Sequence, residues 1–174
     1  LWGSVAARPA GWTKEAFEDE NNHSVALRID VGGASFLIGG DLETAGMDAV
    51  IAKHRGTDAL DVDVLELNHH GSGNGTSGPW LGATTPEIAL IAMGAPQREE
   101  MWTAWAYGHP RRSVLDLLLA SSIGAARPRD VAVATRAKTF GAMRLDRAVY
   151  GTGWDGDVVV TASRDGSYRV QTRR

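Results

Sequence analysis

The chain contains no cysteine. Disulfides and thiolate metal sites are therefore excluded, and any metal ion must be held by histidine and carboxylate. Histidine is itself scarce, with five in 174 residues. No apolar run approaches the length that spans a bilayer. The opening LWGSVAARPAGW lacks the basic-then-apolar order of a signal peptide. Internal repeats and low-complexity linkers are missing as well. The absence of cysteine suits a compartment on either side of a membrane.

What is present is ordinary for one globular domain: 43% hydrophobic and 22% charged residues over residues 1–174. The net charge of −3 argues against non-specific nucleic-acid binding by the whole surface. The charge is uneven, however. Residues 1–70 hold five basic and twelve acidic residues, and residues 111–147 hold eight basic and three acidic. The second segment is either a solvated face or a basic flank suited to a phosphate-bearing substrate.

Alternation with period two marks SVALRID (24–30) and SFLIGGD (35–41) as the strands of a hairpin turned at a Gly-Gly pair. Residues 44–54 read as a helix with Met47, Val50 and Ile51 on one face, and Gly56 lies just beyond its end. DVDVLEL (61–67) and EIALIAMG (87–94) are short, strongly apolar strands, as expected when both sheet faces are covered. RRSVLDLLLASS (111–122) is an amphipathic helix after Pro110. RAVYGTG, DVVVTAS and SYRVQTR read as a closing meander. The expected architecture is α/β, with stacked sheets and helices outside.

The residues that carry chemistry fall where these elements end. Asp41 follows two glycines, which let the backbone approach closely there. His69 and His70 follow the third strand, and His109 precedes the helix in YGHP. Ligands on loops at one edge, each after a rigid strand, are how sheet proteins build metal sites. Asp and His without Cys suit Zn²⁺ or Mn²⁺, and a bridging carboxylate suits a pair of ions. Taken singly, an Asp after Gly-Gly is usually a turn residue, and a His before Pro is usually a cap or surface residue.

The run NNHSVALRIDVGGASFLIGGDLE, then DVLELNHHGSGNGTS, YGHP and AVYGTGWDGDVVV resembles the metallo-β-lactamase superfamily. More closely, it resembles the hydrolase domain of the ComEC/Rec2 competence proteins. The likeness covers roughly residues 21–162 and implies an αβ/βα sandwich with a metal site at one edge. It further implies metal-assisted hydrolysis of a phosphodiester, DNA above all, with two ions of Zn²⁺ or Mn²⁺ in the complete domain. Choline phosphodiesters are the alternative ester substrate. Asp41 matches the bridging carboxylate, and the His69–His70 pair matches a metal-ligand position. Of the two, His69 is favoured as nearest the strand end, with His70 beside the metal or on the substrate; the reverse assignment stays open. By the same likeness His109, Ser72, Arg111 and Arg112 would meet the substrate, with His109 catalytic. Asn22 and His23 fall where other members carry a further histidine, and His23 is read as an exposed neighbour.

The superfamily's principal ligand set, His-x-His-x-Asp-His, is absent. The expectation is therefore a C-terminal part of the fold, with possible association with the missing N-terminal half, because two carried-over ligands are too few for a tight zinc site. Competence relatives place such a domain outside the cytoplasm, and free-standing ones inside. Two rival readings stand beside this one. A half-sandwich could serve as a non-catalytic binding module, or Ser72 beside His70 could act without metal, although no Gly-x-Ser-x-Gly elbow is present. Trp80, Trp102, Trp105 and Tyr107 form either plain packing or a stacking wall near His109, and the exposure of Trp102 and Trp105 discriminates.

Overall fold

The computed structural model describes residues 1–173. Five strands form the central sheet: β1 (Leu27–Val31), β2 (Ala34–Ile38), β3 (Val64–Glu66), β4 (Ile88–Ile91) and, after the β5 (Ala125–Arg136) and β6 (Thr139–Arg147) hairpin, β7 (Val149–Gly151). Their spatial order is β1-β2-β3-β4-β7. β1 is antiparallel to β2, whereas β2, β3, β4 and β7 all run parallel. Parallel neighbours need crossovers, which the helices supply. The crossover helices are α2 (Thr44–Lys53), α3 (Gly78–Thr84), α4 (Ala104–Tyr107) and α5 (Arg112–Leu119), while α1 (Lys14–Glu18) precedes the sheet and α6 (Thr152–Asp155) follows it. A second hairpin, β8 (Asp157–Ala162) with β9 (Tyr168–Arg173), completes the mixed α/β fold. Among the described residues no helix is long and apolar enough to cross a membrane.

The register divides the sheet into two unlike faces. Leu37, Leu65, Ala89 and Val149 lie opposite one another in a single row across four strands, and all are fully buried. Met47 and Val50 of α2 and Val114, Leu115 and Leu118 of α5 join the same core. Both helices show the expected apolar spacing of three and four. On the other face the row reads Leu27, Ile38, Glu66, Leu90, Tyr150. Here β8–β9 supplies part of the cover: Val158 shares a cavity of about 260 Å³ with Phe36, Val64, Glu66, Leu90 and Tyr150. The rest is open. Val25 just before β1, Leu27, Ile29 and Val31 of this edge strand and Ile38 of β2 beside it are between 37% and 58% exposed, an apolar strip that soluble monomers generally avoid.

The expected closing meander is corrected. β7 leaves the following hairpin and enters the central sheet parallel to β4, where buried Val149 continues the core row. Only β8 and β9 pair as foreseen. The β5–β6 hairpin lies within the segment read only for its basic charge. Part of that charge is consumed structurally. Arg129 donates to the Val149 carbonyl and Asp155 at 2.7 and 2.8 Å, and Arg144 lies 3.6 Å from Asp130 across the hairpin.

Candidate functional site

Because β2, β3, β4 and β7 are parallel, their C-terminal ends share one edge, the side on which open α/β sheets bind ligands. Asp41 follows β2, His69 and His70 follow β3, Ala92 and Met93 follow β4, and Thr152 follows β7. Thr152 ties two of these ends together. Its hydroxyl accepts from the Met93 amide at 2.8 Å and donates to the Met93 carbonyl at 2.6 Å.

The two histidines are not aimed by their strand. β3 stops at Glu66, and a short 3₁₀ turn spans Asn68–Gly71. Within it His69 and His70 both adopt left-handed backbone, with φ 49° and 56°. Adjacent non-glycine residues in that region are strained. The turn is held by its surroundings: His69 N–H donates to the Gly40 carbonyl, Ser72 N–H to His69, and Arg111 N–H to Gly71, at 2.8–2.9 Å. Gly39 has a different use from the one expected. The space a Cβ would fill belongs to the Asn68 carboxamide, not to a ligand. Asn68 is fully buried, and neither end of its amide has a hydrogen-bond partner. Gly39→Ala should therefore destabilise the fold by about 1–3 kcal/mol through this collision, measurable by urea denaturation at unchanged m.

This backbone sends the two rings to different carboxylates. His70 Nδ1 lies 2.6 Å from the Ala92 carbonyl, a bond that fixes Nδ1 as the donor, and its Nε2 stands 3.4 Å from Asp41 Oδ1. His69 Nδ1 stands 3.2 Å from Glu43 Oε1 without hydrogen-bond geometry. Glu43 in turn accepts from the Asn21 amide at 3.0 Å. Asp41 and His70 are both roughly half-exposed, whereas Glu43 and His69 are mostly covered. Of the two histidines, Asp41 thus stands beside His70, while His69, favoured from the sequence as the ligand, stands beside Glu43. Strand direction is lost once the chain enters the turn.

His109 joins the group from the other side. Its ring centroid is 5.6 Å from that of His69, and Tyr107 stacks on it at 6.0 Å with planes 10° apart. Burial, then repulsion from His69 and Arg111, lowers its pKa to about 4. The ring is neutral at physiological pH and offers a dipole, not a charge. The unfolded chain, with an ordinary histidine pKa near 6.5, takes up its proton first as pH falls. The stability tied to this shift is fully present above pH 6.5 and is lost as pH falls towards 4. His109→Asn should flatten that loss by about 1 kcal/mol, after allowance for solvent screening of a partly buried ring. Thermal midpoints of both proteins between pH 7 and 4.5 check it.

Other expected residues scatter. His23 belongs to the N-terminal packing, where its Nδ1 accepts from the Val5 amide and its ring meets Trp12 and Phe17. Asn22 is buried and braces α2 by accepting from Gly46 N–H at 2.9 Å. Ser72 Oγ donates to Asn74 at 2.5 Å, and no hydrogen bond joins it to either histidine among the described residues. Arg112 is exposed, and neither it nor Arg111 forms a salt bridge among the described residues. Two acids went unnoticed in the sequence. Glu43 is two residues past Asp41, within reach of the same loop. Glu66 interrupts the outer apolar row, and burial pushes its carboxyl above the usual range, with Asp41 adding to the rise and His70 opposing it. A charged residue inside an otherwise apolar strand was the signal available for Glu66.

The fit of a metal ion can be tested on these distances. Donors bound at about 2.0–2.1 Å in a tetrahedral sphere lie about 3.3–3.4 Å apart, and Asp41 Oδ1 and His70 Nε2 are 3.4 Å apart. The Nδ1 bond to a backbone carbonyl is the usual brace of a metal-ligating histidine. Two positions of a coordination sphere are met. The set is incomplete: among the described residues no three His, Asp or Glu side chains converge to hold an ion.

No family model matches the chain. Curated relatives do. The chain is 38% identical over 105 residues to the competence protein ComA of Neisseria gonorrhoeae, 34% over 104 residues to ComE operon protein 3 of Bacillus subtilis, and 33% over 90 residues to recombination protein 2 of Haemophilus influenzae. These matches cover 60%, 60% and 52% of this chain, and 14%, 12% and 10% of the relatives. The chain therefore spans only a small fraction of the proteins it resembles.

Proposed function

We propose that the chain is the C-terminal part of a metallo-β-lactamase-type αβ/βα sandwich that hydrolyses phosphodiesters, DNA foremost, during competence-linked DNA uptake. The observation that carries this reading is the Asp41–His70 pair, 3.4 Å apart at the C-terminal edge of four parallel strands. The competence names of the relatives supply the biological setting. Asp41 and His70 would hold one or two ions of Zn²⁺ or Mn²⁺, whose chemistry is to lower the pKa of bound water and polarise phosphoryl oxygen. The chain's own residues do the rest. Ala92 keeps the His70 lone pair on Nε2, the Gly40 carbonyl holds the His69 backbone beside it, and neutral His109 offers an N–H to a phosphate oxygen. Arg111 and Arg112 supply the positive charge that His109 lacks.

The remaining donors would come from a preceding segment, which would also cover the strip of Val25, Leu27, Ile29 and Val31. Expressed alone, the chain should then enhance the fluorescence of an apolar dye. Leu27→Lys with Ile29→Glu should reduce that signal severalfold with the circular dichroism unchanged, and an unaltered signal would remove this part of the proposal. The test of the activity is hydrolysis of bis(p-nitrophenyl) phosphate and of DNA with Mn²⁺ or Zn²⁺. A polypeptide carrying the chain with such a segment should be active. A metal-loaded polypeptide of that kind with no phosphodiesterase activity would reject the reading.

A second reading rests on the incomplete donor set. On that reading the chain is a non-catalytic module that binds a partner or ligand at the same edge. It predicts no turnover even when metal is retained.

A further inference from the structure

The four aromatic residues singled out in the sequence separate sharply in the fold. Trp80 is fully buried beneath the sheet, whereas Trp102 is 80% and Tyr107 46% exposed. Trp105 is intermediate and carries the Lys138 ammonium over its ring at 5.4 Å. Trp102 also holds left-handed backbone, φ 63°, which is unfavourable for so large a residue. An exposed indole in a strained conformation gains little from folding, and observed strain of this kind points to use.

Trp102 stands over a cavity of about 550 Å³ lined by His70, Met93, Arg98, Tyr107 and His109, within the range of small-ligand sites. Three rings lead from the candidate site outward. His109 stacks on Tyr107 with centroids 6.0 Å apart, and Tyr107 meets Trp102 at 6.2 Å. Positive charge flanks this wall. Arg111 donates to the Tyr107 carbonyl at 3.3 Å, Arg98 lines the cavity while paired with Glu100, and Lys138 at the tip of the β5–β6 hairpin lies over the Trp105 ring. Aromatic faces beside a basic track are the recognition chemistry of single strands: bases stack on the rings, and phosphates follow the cations. A base inside a duplex has no free face to offer.

We infer that the cavity between Trp102 and Tyr107 is a subsite for an unpaired nucleobase, which positions a single strand with its phosphate towards His109 and Arg111. The inference rests on the phosphodiester reading of the neighbouring site but makes a claim that can fail separately. The probe is a labelled eight-residue oligothymidylate, added to the full chain in EDTA, where no hydrolysis occurs, with anisotropy as the readout. Trp102→Ala should weaken binding by about five- to a hundred-fold, the range for losing one stacked base, and Trp102→Phe should restore most of it. An abasic strand of equal charge should bind the native chain as weakly as oligothymidylate binds Trp102→Ala. Several results would overturn the subsite: no binding by the native chain, equal affinity for abasic and thymidine strands or for duplex, or an unaffected Trp102→Ala. Displacement by phosphocholine but not by thymidine monophosphate would also overturn it, since that result assigns the cage to a quaternary ammonium. Strand binding without hydrolysis in any metal-loaded form would leave the subsite standing and reject only the catalytic reading.

Discussion

Asp41→Ala is expected to bring phosphodiester hydrolysis down to background in a metal-loaded polypeptide that contains the chain and the remaining donors. Asp41 stands at the open edge, 3.4 Å from His70 and roughly half-exposed, so nothing in the core depends on its carboxylate. A loss of activity would therefore not be a loss of fold, and circular dichroism should be unchanged. Metal content should fall with activity, because a shared carboxylate that holds the ions also holds what they activate. Full activity in Asp41→Ala would remove the bridging role.

His109→Ala is expected to lower turnover by about two to three orders of magnitude while metal content stays intact. This is the usual cost of removing one donor aimed at developing oxyanion charge. The neutral ring fixes how the residue can act. With its pKa near 4 it works at pH 7 as a hydrogen-bond donor, and a phosphate seated beside it would raise that pKa by favouring the imidazolium. His109→Asn, which keeps an N–H donor, should recover part of the rate, and the pH profile of the native protein should show no step near 6.5 from this residue in the free enzyme. Loss of metal in His109→Ala as complete as in Asp41→Ala would instead make His109 a ligand.

Much of the central sheet was legible in the residues. The period-two pattern of 24–41 and its Gly-Gly turn became β1 and β2, and the apolar runs near 64 and 88 became the parallel strands β3 and β4. Helices at 44–53 and 112–119 also fell where their spacing put them. Parallel order then brought Asp41 and the histidines to one edge, because the C-terminal ends of the parallel neighbours β2 and β3 must share it. What was illegible was finer. Both histidines sit in left-handed backbone, and no local pattern announces that for histidine, so strand proximity could not tell which ring stands beside Asp41. Gly39 looked like room for a ligand, yet it is room for Asn68, a contact between residues 29 positions apart. The β5–β6 hairpin was hidden because Pro128 and several arginines interrupt its alternation, and arginines that bridge to Asp130 and Asp155 resembled a free basic face.

The central claim, that Asp41 and His70 form the metal-facing pair, can be tested on the chain as it stands. Two donors bind Mn²⁺ weakly, but paramagnetic broadening of NMR signals detects weak, fast-exchanging ions at low occupancy. Titrating Mn²⁺ into labelled chain should broaden the His70 ring and Asp41 signals first, with the His69 ring less affected, and Asp41→Asn should abolish the selectivity. Broadening centred on His69 and Glu43, or on none of these residues, would contradict the account.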